Sequence, residues 1–173
     1  MKSLPLVLSG LLLAVGAVLN LVMVDFFFGM SPDMLLTFMF LAILLFPKAK
    51  NVLVVGLVTG VLAAITTSFP GGQIPNLIER PFTAFIFFGL FLILRKNQSV
   101  ITAAALTAVG TMVSGAIFLG FALMMVGLPG SGTFLGFFAA VVLPAAAINA
   151  GLMVIIHPIA KTFKKRSKLA SAL

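Results

Sequence analysis

Long apolar runs alternate with short polar breaks along the whole of this 173-residue sequence. A helix needs about 17 to 25 mainly apolar residues to cross the hydrocarbon core of a bilayer, and runs of that order recur along the chain. The pattern predicts an all-α integral membrane protein, with residues 1–173 forming a single domain of six transmembrane helices. The apolar segments cover about residues 4–24, 32–47, 52–68, 81–95, 100–126 and 133–160.

Proline and glycine mark the ends of these segments. Pro32 and Pro81 lie where a first helical residue is expected, a position at which the missing proline N–H costs nothing. Pro47 and the sequence GLPGSG at 127–132 close segments two and five. Segment four is therefore predicted to begin at Pro81, which leaves residues 69–81, FPGGQIPNLIERP, as an outer loop.

The charged residues divide between the two sides of the predicted membrane. With six crossings and a cytoplasmic N-terminus, all three acidic residues face outward and ten of the eleven basic residues face inward. Basic residues in short loops mark the cytoplasmic side. Both termini are therefore predicted to be cytoplasmic, with residues 161–173 as a basic tail. The inward set is Lys2, Lys48, Lys50, Arg95, Lys96, Lys161, Lys164, Lys165, Arg166 and Lys168.

Two other interpretations of the topology compete with this one. Segments two and four have only about 15 residues and are short for a full crossing, but making either re-entrant would break the charge asymmetry. Residues 1–17 resemble a cleaved signal peptide, with Lys2 followed by an apolar run and small residues. The run continues past Ala17 to Val24, which favours a retained first helix.

Composition narrows the function classes. The chain is 62% hydrophobic and 8% charged, with a mean hydropathy of +1.30, whereas a soluble domain carries about 25% charged residues. No stretch remains for a soluble catalytic domain. The net charge of +8 is explained by topology, and no nucleic acid is expected as a partner. With no cysteine, one histidine and three acids, neither a metal cage nor an acid–base pair is expected, and no cofactor is predicted.

Small residues recur at four-residue spacing, which lets helices approach closely in lipid. The pattern predicts packing within the bundle for segments three, five and six. A first helix at the edge of the bundle would instead offer Gly10 and Ala14 to another protein. The positions are Gly10 and Ala14; Gly56, Gly60 and Ala64; Gly110 and Ser114; and Gly132, Gly136 and Ala140.

Polar and aromatic side chains gather in the predicted outer loops. They suit a zwitterion with an aromatic body, because Arg80 or a helix N-terminus would take a carboxylate, an acid would take an ammonium group, and phenylalanines would contact the ring. A charge pair at the water boundary, worth about 0–1 kcal/mol, explains the adjacent Glu79 and Arg80 equally well. The residues concerned are Asp25, Phe26, Phe27, Phe28, Asp33, Phe69, Gln73, Asn76, Glu79 and Arg80.

Several stretches resemble a known family. The six-span scaffold with a basic tail and a small pair in helix one resembles the substrate-binding (S) component of an energy-coupling factor (ECF) transporter. More narrowly, the sequence is similar to the tryptophan-specific TrpP family. The similar stretches are SPDMLL (31–36), LLFPKAKNVLVVGLVTG (44–60), TTSFPGGQIPN (66–76), RPFTAF (80–85), TMVSGAIFLG (111–120) and AAVVLPAAAIN (139–149).

The resemblance implies a function and a set of residues. An S component in the cell membrane of a prokaryote captures its substrate, here L-tryptophan, from outside with high affinity. It delivers the substrate inward with a transmembrane T component and two ATP-binding subunits. Docking is expected at Gly10 and Ala14, where the family usually has two alanines, and loop 69–81 is expected to cover the site. The residues expected to bind substrate are Asn20, Phe69, Gln73, Asn76, Glu79, Arg80, Phe82, Thr111 and Asn149.

Other functions remain as alternatives. An S component for another aromatic solute or a vitamin would share the same scaffold. A stand-alone secondary transporter or channel would place ionisable residues at the midplane, where the predicted spans have none. An assembly protein without a solute is a further alternative, and an integral-membrane enzyme is the least favoured because it needs several reactive groups in one place.

Overall fold

The computed structural model describes residues 4–22, 33–96, 99–128 and 132–166, with the backbone alone at 164–166. The outer-loop residues Asp25 and Phe26–Phe28 and the tail beyond Arg166 lie outside the described residues. The helices are α1 (Leu4–Val22), α2 (Met34–Leu45), α3 (Ala49–Thr66), α4 (Gln73–Leu94), α5 (Val100–Met125), α6 (Phe134–Phe137) and α7 (Leu143–Arg166). A π-helical turn, Phe138–Val142, joins α6 to α7 without a break.

The predicted all-α membrane class is confirmed. Within the described ranges, five helical segments are long and apolar enough to cross a bilayer, and they correspond to predicted segments one, three, four, five and six. Ser99 begins α5, because its Oγ accepts a hydrogen bond from the Thr102 backbone N–H at 3.0 Å. Thr133 begins α6 in the same way through the Gly136 N–H at 3.1 Å.

Helix α2 lies at the centre of the bundle. Its 12 residues span only about 18 Å, and the side chains from Met34 to Ile43 are all buried. This explains why the segment shows no amphipathic periodicity, since helices α1, α3, α4, α5 and α7 all contact it. The Asp33 side chain caps α2 by accepting the Leu36 N–H at 2.8 Å.

The predicted start of segment four at Pro81 is wrong. Helix α4 begins at Gln73 and contains Pro81 in its interior, so the second half of the predicted outer loop forms its first two turns. A proline at that position cannot donate to the Leu77 carbonyl. Gly60 of α3 packs directly against this carbonyl, since a Cβ built on Gly60 would lie 3.1 Å from Leu77 O. A neighbouring helix therefore accommodates the proline, as in other membrane bundles.

The small residues predicted to pack within the bundle are buried in some helices and exposed in others. Gly56 and Gly60 form the tight seam between α3 and α4, and Gly110 is buried beneath the stacked rings of Phe40 and Phe87, whose centroids are 4.1 Å apart. The prediction of bundle packing is confirmed at these positions. It is wrong for Gly132, Gly136 and Ala140, which are exposed.

Helix α1 lies at the edge of the bundle. It packs on α2 and α3 and, among the described residues, has no close backbone contact with α4, α5 or α7. Gly10 and Ala14 are exposed, and a Cβ built on Gly10 would meet nothing within 4 Å. The small pair of α1 is thus not used within the described chain.

Candidate functional site

A cavity of about 290 Å³ lies between the helices at one end of the bundle. It is reached from the ends of α1, α3 and α4 that the charge distribution assigns to the outside. The described basic residues Lys48, Lys50, Arg95, Lys96 and Lys161 belong to the opposite helix ends. Ligand sites of proteins commonly measure about 300–1,000 Å³, so the volume suits one small solute.

Arg80 forms the centre of the polar wall. Its Nη2 donates to Asp33 Oδ2 and, at 3.3 Å, to Asn76 Oδ1. Its Nε lies 2.8 Å from Glu79 Oε1 in an ion pair, although the N–H is not directed at that oxygen. Nη1 is buried and has no hydrogen-bond partner among the described residues. The guanidinium therefore holds two carboxylates and keeps one unpaired donor, Nη1, in a residue that lines the cavity.

Glu79 is completely buried, and two hydroxyl groups satisfy it. Thr83 Oγ1 donates to Oε2 at 2.8 Å, and Ser114 Oγ of α5 lies 3.1 and 3.2 Å from the two carboxylate oxygens. A buried carboxylate needs such partners, because its desolvation is costly. Two acids thus surround one guanidinium, and the fully ionised cluster has an excess of one negative charge.

The local sequence places this cluster on one face of α4. Asn76, Glu79, Arg80 and Thr83 follow the three- and four-residue spacing that aligns side chains along a helix. Asn76 is itself held by a hydrogen bond from Nδ2 to Gly72 O at 2.9 Å. Because α4 begins at Gln73, the cluster lies in its first turns, inside the bundle.

Thr111 of α5 continues the polar wall. Asn149 of α7, which is fully buried behind it, donates from Nδ2 to Thr111 Oγ1 at 3.2 Å. The Thr111 oxygen acts as acceptor in this bond, so its hydroxyl hydrogen can be donated elsewhere. Asn149 thereby positions Thr111.

The remaining walls are apolar. Phe69 is buried and meets Phe118 edge to face, with ring centroids 5.3 Å apart. Gly115 and Val142 are in close contact, since a Cβ at Gly115 would lie 2.5 Å from Val142 Cγ1. Val142 belongs to the π-helical turn, a feature frequent at functional sites. These surfaces can enclose a flat apolar group next to the charged cluster.

The structure brings six of the nine predicted substrate-binding residues to the cavity wall and leaves three away from it. Asn149 lies behind the wall. Gln73 is exposed at the start of α4, and Phe82 is 59% exposed on the outside of that helix, so neither residue lines this cavity. The six residues at the wall are Asn20, Phe69, Asn76, Glu79, Arg80 and Thr111.

The proposed lid is also corrected. Glu79 and Arg80 do not belong to a loop over the site but to its wall, as residues of α4. Their side chains are 0% and 6% exposed, so the alternative of a charge pair at the water boundary is excluded as well. Neither prediction allowed for Pro81 inside a helix.

Several site residues were missed as wall groups. Ser114 was predicted only as a packing residue, and Gly115, Phe118 and Val142 were not predicted at all. Thr83, which supports Glu79 from behind the wall, was not predicted either. The periodic spacing of Asn76, Glu79, Arg80 and Thr83 would have revealed the α4 face. No signal in the sequence joins Asp33 to Arg80 or Glu79 to Ser114, because these pairs meet only when distant helices pack.

Comparison with known proteins identifies the family. The family model described as tryptophan transporter TrpP matches residues 2–165. The chain belongs to the TrpP family. Family membership places it among transporters, and the predicted multi-pass location in a prokaryotic membrane is confirmed.

Three curated relatives of this TrpP-family chain cover 84–99% of its length. It is 52% identical over 172 residues to a probable tryptophan transport protein of Bacillus subtilis, covering 99% of each chain. It is 46% identical over 146 residues to one of Clostridium acetobutylicum, covering 84% of each, and 36% identical over 173 residues to one of Clostridium perfringens, covering 94% and 93%. No solved structure matches the chain significantly.

Proposed function

We propose that this protein is the L-tryptophan-binding S component of an ATP-driven ECF uptake transporter. The observation that carries the proposal is the cavity in which a buried guanidinium with a free Nη1 donor stands beside two carboxylates and phenylalanine rings. Family membership and the names of the relatives support tryptophan as the solute. Solute enters from the outer end and leaves on the cytoplasmic side.

The charged groups of the solute bind at the Arg80 cluster. Its carboxylate accepts from Arg80 Nη1 and from the Thr111 hydroxyl, both of which have a hydrogen to donate. Its ammonium group binds Asp33 and Glu79, because the excess negative charge of the cluster favours a cation. A zwitterionic amino acid satisfies the cluster better than an anion or a cation alone.

The aromatic ring lies against the apolar walls. Phe69 and Phe118 offer ring edges and faces, and the closely packed Gly115 and Val142 add a further apolar surface. Aromatic pairs are worth about 0.5–1.5 kcal/mol beyond their buried area, which favours an aromatic side chain over an aliphatic one of equal volume.

The exposed face of α1 is the docking surface for the T component. Gly10 and Ala14 lie exposed among apolar residues such as Val7, Leu11 and Val18. In lipid, apolar side chains gain nothing from association, whereas small residues permit close backbone packing. The energy for transport comes from the two ATP-binding subunits that complete the complex.

Calorimetry on the detergent-purified protein tests the solute. L-Tryptophan should bind, and the other proteinogenic amino acids and vitamins should bind more weakly or not at all. A response to another solute without one to tryptophan would contradict the substrate assignment.

Co-expression with the T component and ATP-binding subunits tests the partners. Gly10→Leu should abolish co-purification yet leave tryptophan binding intact. Gly151→Leu is the matched control, because Gly151 is also exposed with nothing within 4 Å, and it should retain the partners. Loss of both association and binding in Gly10→Leu would indicate a misfolded bundle.

Buried Glu79 favours one other candidate, a stand-alone proton-coupled transporter. The predicted spans have no ionisable residue at the midplane, and Glu79 and Arg80 lie buried in the first turns of α4. Intramembrane acids often serve proton relays. Tryptophan uptake by liposomes that contain this protein alone and a proton gradient would establish that function. Absence of uptake, together with high-affinity binding, would support the S component.

A further inference from the structure

Asn20 carries an unpaired acceptor at the cavity wall. It is in the last turns of α1 and lines the same cavity as Arg80. Its Oδ1 is buried and has no hydrogen-bond partner within the part of the chain that the structure describes. A buried carbonyl oxygen without a donor is unfavourable, and a ligand N–H at that position restores the missing bond.

The cavity thus has complementary unpaired groups on two helices that do not touch. Arg80 Nη1 of α4 is the free donor, and Asn20 Oδ1 of α1 is the free acceptor. Helices α1 and α4 have no close backbone contact. A solute that reaches both groups bridges α1 and α4.

We infer that Asn20 accepts the indole N–H of the bound solute and so favours tryptophan over phenylalanine. The inference rests on the proposed function and adds to it the residue that accepts a hydrogen bond from the ring nitrogen. Tryptophan has two kinds of N–H donor, the cationic ammonium group and the neutral indole N–H. Charge-assisted bonds are the stronger ones, so the ammonium group binds the carboxylates of Asp33 and Glu79. The neutral amide of Asn20 remains for the neutral donor.

This assignment explains selectivity in chemical terms. Phenylalanine has no ring donor and leaves Asn20 Oδ1 unpaired in the complex. A site built to hydrogen-bond a polar group of its substrate discriminates strongly against analogues that lack the group. The apolar walls by themselves favour an aromatic ring but provide no hydrogen-bond acceptor for a ring N–H.

A matched pair of ligands isolates the ring N–H. L-Tryptophan and 3-benzothienyl-L-alanine have nearly the same shape, and sulfur replaces the N–H in the second. Calorimetry on the wild-type protein should show tryptophan bound about 10- to 100-fold more tightly. In Asn20→Leu, which keeps the volume and removes the acceptor, the two ligands should bind about equally.

Thr66→Val is the control within the same cavity. Its hydroxyl also lines the wall, but it already donates to Leu62 O at 2.9 Å. The preference for tryptophan should therefore persist in this variant. Asn20→Ala serves as a second truncation, and thermal unfolding of each variant verifies that it is folded.

Three results would overturn the inference. The first is equal wild-type affinity for the two ligands, which requires no variant. The second is an equal loss for both ligands in Asn20→Leu and Asn20→Ala. The third is a selective loss of tryptophan relative to indole-3-propionate in these variants, because that would assign Asn20 to the ammonium group. If the wild-type protein binds no tryptophan at all, the proposed function itself fails.

Discussion

Replacing Arg80 by glutamine separates the structural role of the charged cluster from its binding role. The Arg80 and Glu79 side chains are 6% and 0% exposed. Arg80→Gln leaves the Glu79 carboxylate with the hydroxyl groups of Thr83 and Ser114 but without a cation. The variant therefore contains a buried charge that nothing neutralises.

The expected loss of stability follows from this burial. Removing one partner of a buried ion pair costs about 3–5 kcal/mol. The lower value of about 3 kcal/mol applies, because hydrogen bonds to a charged group, each worth about 1.5–3 kcal/mol, persist from the two hydroxyl groups. For a chain of this length, 1 kcal/mol corresponds to about 2–4 °C in Tm, so the expected decrease is about 6–12 °C.

A double variant completes the test. Glu79→Gln combined with Arg80→Gln removes both charges, and replacing a buried pair by neutral groups is often neutral or stabilising. Most of the lost Tm should therefore return. Tryptophan binding should remain lost, because the guanidinium that holds the carboxylate is absent. Thermal unfolding in detergent and calorimetry on the same samples provide the two measurements.

The Tm and affinity of these variants show whether Arg80 stabilises the fold, binds the solute, or does both. If the double variant recovers both stability and affinity, Glu79 and Arg80 bind each other and not the solute. If Arg80→Gln alone leaves the Tm unchanged, the buried carboxylate is not held by Arg80, and the energetic reasoning from burial is refuted.

Two matched pairs of glycine variants test the packing of α3 against α4 by Tm and the apolar surface at Gly115 and Val142 by calorimetry. Gly56→Ala places a Cβ 3.0 Å from Ala84 Cβ. Overpacking costs about 1–3 kcal/mol and the higher helix propensity of alanine returns about 1 kcal/mol. The unfolding free energy should therefore fall by about 0–2 kcal/mol. The Cβ of Gly10→Ala meets no atom within 4 Å, so this variant should raise the unfolding free energy by up to about 1 kcal/mol. Equal changes in Tm for Gly56→Ala and Gly10→Ala would contradict the close α3–α4 seam. Gly115→Ala should push Val142 toward the cavity and weaken tryptophan binding, whereas Gly120→Ala, with nothing within 4 Å, should not. Unchanged tryptophan affinity in Gly115→Ala would show that the surface formed by Gly115 and Val142 does not contact the ring of the solute.

The course of α4 shows where reasoning from the sequence reaches its limit. A proline usually lies at the start of a helix because it lacks the N–H, so Pro81 predicted a boundary. The boundary moves to Gln73 because Gly56 and Gly60 let α3 pack against Pro81 Cα and the Leu77 carbonyl. This depends on two helices meeting, and no local pattern around Pro81 contains that information.

In the candidate site, too, the sequence predicted individual residues, whereas their contacts depend on the tertiary structure. Asn76, Glu79 and Arg80 were predicted as polar groups of the outer loop, and Asn20 and Thr111 from the resemblance to the family. Their meeting in one cavity, the bond from Ser114 to Glu79 and the ion pair of Asp33 with Arg80 were decided by packing alone.

The sequence by itself determined the membrane class and five helical segments of spanning length, and its charges predict the orientation. These follow from transfer free energies and from charges in short loops, which act residue by residue. Only the tertiary structure decided that α2 is enclosed on all sides, that α1 leaves its small residues exposed and that two acids and one guanidinium meet inside the bundle. These features depend on distances between residues far apart in the chain, and such distances exist only after the helices have packed.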